Sequence, residues 1–244
     1  MPYPLSNILI DSMPEASRKS LLHHLRPVPV PLRTSLYEPG DVPKYVHFLT
    51  SGIASIVTTM GSGETTEVGT VGREGVPQGI HPLGPTSITT RCFMQISGTA
   101  LRMDYKAFER LFNADEGIRN AVLAFAQYQS VLLAQVAGCN RLHEAEPRLA
   151  RWLLMVQDRT GDSVLALTQE FVAQMIGSQR TTVSAVAGSL QQRELIEYSR
   201  GRVKVLNRTG LENVACECYS ATSKILNSLY SMAGQSLFDD QGAK

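Results

Sequence analysis

The stretch LTQEFVAQMIGSQRTTVSAV, residues 167–186, contains the signals of two short helices joined by a tight turn. Thr168 is a good N-cap for the first helix, and Glu170 suits the positive end of its dipole. Gly177 can adopt the left-handed conformation that ends a helix, and Ser178 can cap the next one. The stretch therefore predicts a helix-turn-helix. The residues of its small shared core are Val172, Ile176, Val183 and Val186, and the small Ala173 lets the two helices approach closely.

The outward face of the second helix distinguishes this stretch from an ordinary pair of core helices, which would show the same apolar spacing. It carries hydrogen-bonding side chains and no acidic residue, as a helix that reads the major groove of DNA requires. Arg180 is the candidate for contacts to guanine. The residues of both helices predicted to contact DNA are Thr168, Gln169, Ser178, Gln179, Arg180, Thr181, Thr182 and Ser184.

The segment LIEYSRGRVKVL, residues 195–206, follows this motif and predicts two alternating strands around a tight turn at Gly201. Arg200 and Arg202 flank the turn, where they can contact phosphates. Between positions 163 and 210 there are six basic and three acidic residues, so this segment carries +3 in a chain of net charge +1. The pattern is typical of a winged helix-turn-helix.

The first third of the chain has the pattern of a small β-sandwich or barrel, with turn signals every eight to twelve residues. A short helix, with Leu21, Leu22 and Leu25 on one side, is expected to precede the strands. The predicted strands are Tyr45–Leu49, Ile53–Thr59, Thr65–Val71, Cys92–Ile96 and Thr99–Met103.

A long helix is predicted to follow, with Asp115 as its N-cap and apolar residues at alternating spacings of three and four. Such a stripe needs a partner, either a second copy of the chain or the helix's own barrel. The residues predicted to form a dimer interface are Ile118, Val122, Phe125, Gln129, Leu132 and Val136. Pro147 then marks the first turn of a further helix, Arg148–Arg159.

Composition excludes several classes of protein. With 244 residues, 43% hydrophobic and 18% charged, the chain can bury a core and is not strongly polybasic. No apolar run approaches the roughly 20 residues of a membrane span, and the N-terminus lacks the pattern of a signal peptide. Four cysteines are too few for a disulfide framework. We therefore expect a cytoplasmic globular protein without membrane contacts.

The histidines and cysteines do not predict a metal or catalytic site. Cys216 and Cys218 are too close for a Cys-x-x-Cys pair and have no second pair nearby in sequence, while Cys139 lies on the helix stripe as a small hydrophobe. No spacing supports His47, His81 or His143 as a haem ligand. We expect no catalytic residue, no metal and no cofactor, because the common hydrolase, phosphate-loop and zinc-protease motifs are absent.

The β-rich domain, long helix and winged helix-turn-helix together resemble the CRP/FNR family of bacterial transcription regulators. The resemblance implies a homodimer that binds a double-stranded DNA operator, with RNA polymerase as a further partner. Arg180 matches the position of the family's guanine-reading arginine. Thr181 and Ala185 depart from the glutamate and second arginine that are common there. These departures indicate an operator unlike the usual one.

The resemblance also implies a cyclic-nucleotide-binding-like sensor, whose phosphate cassette uses a glutamate for the ribose and a following arginine for the phosphate. Here no carboxylate follows Gly79, and Thr89-Thr90-Arg91 does not restore the expected Arg-Ser/Thr pair. Arg73 and Glu74 lie early and are expected to pair on the surface. We expect no cyclic-nucleotide binding. Arg91 is a weak candidate for contacts to another small-molecule effector, the alternative being a solvated or ion-paired arginine.

The predicted fold class is α+β, with a double-stranded β-helix (jelly-roll-like) barrel at 1–113, a dimerisation helix at 114–143 and a winged helix-turn-helix with a C-terminal helix at 144–232. A capping box at Thr209–Glu212 is expected to open that last helix, packed against the DNA-binding domain. Two alternatives stay open. One is a cupin-like barrel that acts as a metal enzyme or ligand-binding protein beside a helical domain without DNA-binding function. The other is a regulator that acts through protein contacts alone.

Overall fold

Two antiparallel sheets face each other in the N-terminal half of the chain. The computed structural model describes residues 6–161 and 164–231. The outer limits predicted for the first and last domains lie outside these ranges. The sheets have the strand orders β1-β7-β3 and β2-β6-β4-β5. The elements are α1 Ile8–Asp11, α2 Glu15–His24, β1 Arg26–Val30, β2 Ser35–Tyr37, β3 Tyr45–Leu49, β4 Ile53–Thr59, β5 Thr65–Val71, a 3-10 turn His81–Leu83, β6 Arg91–Ile96 and β7 Gly98–Asp104.

The alternating pattern predicted β3 to β7 but missed β1 and β2. The sequence RPVPV of β1 contains two prolines, which a central strand would not tolerate. This strand lies at a sheet edge, paired only with β7, so the missing N–H groups are tolerated. The three-residue β2 pairs with β6 in an irregular register at the other sheet's edge. Both strands exist because the neighbouring strand offers them a partner.

The C-terminal half is mainly helical and contains a third sheet, of order β8-β10-β9. Asp115 caps the long helix as expected, accepting a hydrogen bond from Ile118 N at 3.0 Å. Strand β8 was not predicted. The elements are α3 Tyr105–Ala114, α4 Glu116–Leu142, α5 Ala145–Thr160, β8 Val164–Ala166, α6 Gln169–Met175, α7 Arg180–Gln192, β9 Ile196–Ser199, β10 Arg202–Val205, α8 Arg208–Val214 and α9 Cys218–Ser231.

Helix α4 belongs to the core of its own chain, which corrects the predicted dimer interface. Ile118, Val122, Phe125, Leu132 and Val136 lie in the hydrophobic core of the barrel domain, and Gln129 is buried beside them. The ring of Phe125 lies directly against the backbone of Gly75, where no side chain would fit. These six residues are therefore not available to a second copy. The apolar stripe therefore marks the face of α4 that packs against the barrel.

By length and composition alone α4 could cross a membrane. Its buried face packs on the barrel, on α2 and α3, and on α9, so it is a core helix.

Helix α5 connects the barrel to a second core, which is formed by the helix-turn-helix, the wing and two β4 residues, Ile53 and Val57. Trp152 Nε1 donates a hydrogen bond to Glu67 Oε1 of β5 at 2.8 Å. Arg159 forms a buried ion pair with Glu74 at 2.8 Å. The sequence analysis predicted a surface pair of Glu74 with Arg73, and this prediction is wrong because Glu74 is buried against Arg159.

Three further local predictions are corrected. Leu22 is 43% exposed, although Leu21 and Leu25 are buried. Asn207, rather than Thr209, caps α8 by accepting a hydrogen bond from Gly210 N at 2.8 Å, since asparagine is among the best N-caps. The predicted C-terminal helix is interrupted at residues 215–217. Its second part, α9, packs mainly along α4 instead of on the DNA-binding domain.

Candidate nucleic-acid interface

The turn between α6 and α7 has the geometry that the sequence predicts. Thr168 Oγ1 accepts a hydrogen bond from Phe171 N at 3.2 Å and caps α6. Gly177 has φ +57°, a left-handed conformation that favours glycine. The N-cap of α7 is Gln179, not Ser178, whose backbone N–H instead donates to Ala173 O at 2.9 Å. The corrected cap moves the start of α7 to Arg180, so this arginine occupies the first helical position.

The predicted reading face of α7 points away from the protein. Val183, Ala187 and Leu190 are buried in the second core, whereas Arg180, Thr181 and Ser184 are exposed. Ser184 Oγ lies 2.7 Å from Gln169 Oε1, so the two helices are also joined by their polar side chains. Of the ten predicted DNA contacts, the exposed ones are Thr168, Gln179, Arg180, Thr181, Ser184, Arg200 and Arg202, and the half-buried ones are Gln169, Ser178 and Thr182.

The wing is a β-hairpin, β9–β10, with Arg200 and Gly201 at its tip. Both residues have positive φ, +49° and +72°, the combination of a two-residue type I′ turn. Tyr198 holds the hairpin on the motif because its hydroxyl donates to Leu167 O at 2.9 Å, and burial raises its pKa to about 12. Arg180, Arg200 and Gln169 line one open cleft of about 500 Å³. The fold therefore brings the start of α7 and the tip of the wing onto one surface.

The cleft, which Glu170 also lines, contains none of the ion-paired arginines of the domain. Arg193 pairs with Glu146 at 2.8 Å, and Arg208 pairs with Asp158 at 2.7 Å, both away from the cleft. Within the part of the chain that the structure describes, the other four basic residues of the segment form no ion pair. They are Arg180, Arg200, Arg202 and Lys204.

In the barrel domain, the candidate effector residue Arg91 contacts other residues of the protein. Arg91 Nε donates to Glu38 at 3.1 Å in an exposed ion pair, and its guanidinium lies over the Phe93 ring. Inside the barrel, Gln78 Nε2 lies 3.1 Å from His47 Nδ1. Burial, with a smaller effect of Arg102, lowers the pKa of His47 to about 4, so this ring is neutral at pH 7. The side chain of Gln78, in the stretch that corresponds to the phosphate cassette, thus makes its polar contacts inside the barrel.

A cluster that the sequence analysis missed lies where α4 meets the α8–α9 connection. Cys139 lies in the last turn of α4 and His143 is the C-cap that ends it, and the fold places both beside Cys216 and Cys218. The Cys-x-x-x-His spacing on a predicted helix was the available signal. Its second half lies about 75 residues further along the chain, which is why no local pattern revealed it.

Comparison with known proteins agrees with this architecture. Residues 27–115 match the family model of the cyclic nucleotide-binding domain, and residues 147–214 match that of the Crp-like helix-turn-helix domain. No curated protein matches the chain in sequence.

Solved structures share the fold at low identity. The c-di-GMP responsive global regulator CLP of Xanthomonas campestris is 16% identical with a TM-score of 0.64, over 79% of this chain and 99% of that one. FixK2 from Bradyrhizobium japonicum is 14% identical with a TM-score of 0.66, over 79% and 98%. TTHB099, a CRP-family transcriptional regulator from Thermus thermophilus, is 20% identical with a TM-score of 0.64, over 77% and 96%. With both domains matched in this order, the chain belongs to the CRP/FNR family of transcription regulators.

Proposed function

We propose that the protein binds a two-fold DNA operator as a homodimer, with α7 of each chain in the major groove. The observation that carries this proposal is the exposed polar face of α7, which has no acidic residue and shares a cleft with Arg200 of the wing. A major-groove helix contacts base edges with its N-terminal residues. Two such helices, one helical turn of DNA apart, would read two half-sites.

Arg180 is the residue that we expect to read sequence. It lies at the first position of α7 and is exposed. An arginine there can donate two parallel hydrogen bonds to O6 and N7 of one guanine, which is worth about 1–3 kcal/mol of discrimination. With Thr181 and Ala185 as its neighbours, the half-site should be short and centred on that guanine.

The proposed dimer uses the face of α4 that is opposite the core. Leu123 and Val131 are each 44% exposed there, and Ala134 and Gly138 continue the stripe at helical spacing. An added Cβ at Gly138 would meet nothing within 4 Å, so a second backbone can approach closely. Small residues in this position favour two α4 helices packing against each other.

The operator experiment compares Arg180→Ala with the wild type by selection from a random-sequence library and by fluorescence anisotropy. We expect specific binding to weaken about 10–200-fold while non-specific binding stays nearly constant. Arg193→Ala is the matched control, because Arg193 belongs to the same domain but is paired with Glu146. An unchanged selected sequence in Arg180→Ala would show that another element reads the operator.

We also propose that cyclic AMP and cyclic GMP are not effectors. Arg91 is paired with Glu38, and Glu74 is buried with Arg159, so neither side chain presents a free charge to a nucleotide. Isothermal calorimetry with each nucleotide should show no heat. Micromolar binding of either would contradict the proposal.

As further partners we propose RNA polymerase, through which such a regulator acts, and an effector of another chemistry. The place of action would be the cytoplasm, where the DNA lies.

A further inference from the structure

Three cysteines and one histidine converge where the sensor, the DNA-binding domain and the C-terminal helix meet. Cys139 lies in the last turn of α4 and His143 is its C-cap, whereas Cys216 lies in the α8–α9 connection and Cys218 is the first residue of α9. One ligand atom of each residue lies within 4.8 Å of all the others. The three cysteines are buried and none forms a disulfide.

The distances between these atoms are those of a tetrahedral metal site. A zinc ion with Zn–S bonds of about 2.3 Å and a Zn–N bond of about 2.1 Å places two sulfurs about 3.8 Å apart, and a sulfur and a nitrogen about 3.6 Å apart. The Sγ atoms of Cys139 and Cys216 are 3.6 Å apart. Cys218 Sγ and His143 Nδ1 are also 3.6 Å apart. Two of the six donor–donor distances therefore already match the edges of the required tetrahedron, and the other four are no longer than 4.8 Å.

The groups around the donors are those that support zinc ligands. His143 directs Nδ1 at the cysteines, while its Nε2 lies 3.1 Å from Glu217 Oε1. A carboxylate on the far nitrogen orients a metal-bound imidazole and makes it more basic. Gln135 Nε2 lies 3.0 Å from Cys218 Sγ, where it can donate to a thiolate. These contacts leave Nδ1 and the sulfurs directed at one another.

A buried positive charge lies beside the site. Arg151 is 4% exposed, its Nε has no hydrogen-bond partner among the described residues, and it acts electrostatically on Cys139. Three thiolates, a neutral imidazole and Zn²⁺ carry a net charge of −1. That charge would compensate the guanidinium, whereas four neutral side chains would not.

We propose that Cys139, His143, Cys216 and Cys218 form a Cys₃His site for a structural Zn²⁺ ion, which fastens α9 to the end of α4. Soft thiolate donors with one imidazole in tetrahedral arrangement select zinc over harder divalent cations. Cys139 and His143 lie between the two matched domains, and Cys216 and Cys218 follow the second one, so neither family model includes the site.

The metal would connect the two functional halves of the molecule. At its far end α9 returns to the barrel, where the Tyr230 hydroxyl donates to Glu74 O. At its near end, Cys216 follows directly after α8 of the DNA-binding domain. With zinc bound, α9 would be attached at both ends, to α4 through the metal and to the barrel through Tyr230. The orientation of the DNA-binding domain relative to α4 therefore depends on the metal.

The experiment measures metal on the purified full-length chain kept under reducing conditions. Elemental analysis should find one zinc per chain, and Co²⁺ added to metal-free protein should give the intense visible bands of tetrahedral thiolate coordination. Cys218→Ser should lose both signals. Cys92→Ser is the matched control, because Cys92 is a buried free cysteine of the barrel and should leave both signals unchanged.

Two further variants keep the test decisive if Cys218→Ser does not fold. His143→Cys supplies a fourth thiolate and should retain the metal. Glu217→Gln leaves all four ligands in place and should weaken Co²⁺ affinity about 10–100-fold. Removal of zinc with a chelator should also lower the unfolding temperature of the wild type.

The proposal is overturned if the wild type carries no zinc and gives no tetrahedral cobalt spectrum. It is likewise overturned if Cys218→Ser binds as much metal as Cys92→Ser, or if the bound metal is iron. A Cys139–Cys216 disulfide in protein that is purified under reducing conditions would also contradict it.

Discussion

At the scale of single residues, the turn of the helix-turn-helix requires a glycine at position 177. Its φ of +57° is unfavourable for other residues, and an added Cβ would lie 2.9 Å from Thr66 Oγ1 of β5. We expect Gly177→Ala to lower the free energy of unfolding by about 1–2 kcal/mol. Urea denaturation followed by circular dichroism measures this difference.

Gly188 is the matched control for that substitution. It lies within α7, and an added Cβ there meets nothing within 4 Å. Gly188→Ala should therefore raise the free energy of unfolding by up to about 1 kcal/mol, because alanine is the better helix former. If the two alanines change stability in the same direction, the left-handed turn at Gly177 is not a constraint.

At the scale of elements, α4 has two faces with different roles, and substitutions should separate them. Glutamate in place of both Leu123 and Val131 puts charge on the exposed face, so we expect folded monomers in sedimentation. Glutamate in place of Phe125 puts a charge into the core against Gly75, so we expect an unfolded chain instead. Dimers that persist in the Leu123/Val131 variant would show that another surface holds the copies together.

The wing should contribute affinity without sequence preference. Arg202 is exposed on β10 and forms no ion pair among the described residues, so its charge is available to a phosphate. Arg202→Ala should weaken binding to all sequences alike and reduce the slope of log K against log salt by about one per chain. Titrations at several salt concentrations measure this slope. A loss confined to one operator would mean that Arg202 contacts bases.

At the scale of the whole molecule, the contact between barrel and α5 should make stability depend on pH. Burial raises the pKa of Glu67 to about 7 from its ordinary value of 4.5, although its hydrogen bonds with Ser55 and Trp152 oppose the shift. As the pH rises from 4.5 to 7, the unfolded chain releases this proton before the folded protein does. Stability should therefore fall across this window, by up to about 3 kcal/mol, and change little above it.

Glu67→Gln should remove this dependence, because glutamine keeps the polar contacts and does not titrate. Thermal unfolding midpoints between pH 4.5 and 8 would show a flatter profile than the wild type. Glu64→Gln is the control, since Glu64 is exposed in the same hairpin. A Glu67→Gln profile as steep as the wild-type profile would assign the pH dependence to other groups.

Local signals were sufficient for much of this protein because they act over a few residues. Thr168 and Asp115 cap α6 and α4 with their side chains. Gly177 and Gly201 adopt the positive φ that the two turns require. Alternation likewise predicted β3, β4 and β5 with their observed bounds. For this reason the fold class and the helix-turn-helix with its wing could be predicted from the sequence alone.

The contacts between elements that are remote in sequence were decided only by the tertiary structure. A three-four stripe states that one face of α4 is buried, but it does not state whether the partner is the barrel or a second chain. The prolines of β1 are tolerated only because the strand lies at an edge, and Glu74 meets Arg159 across 85 residues of sequence. The four donors of the Cys139 cluster likewise come from two distant segments. Pairings of this kind depend on how remote elements pack, and no preference of a single residue encodes them.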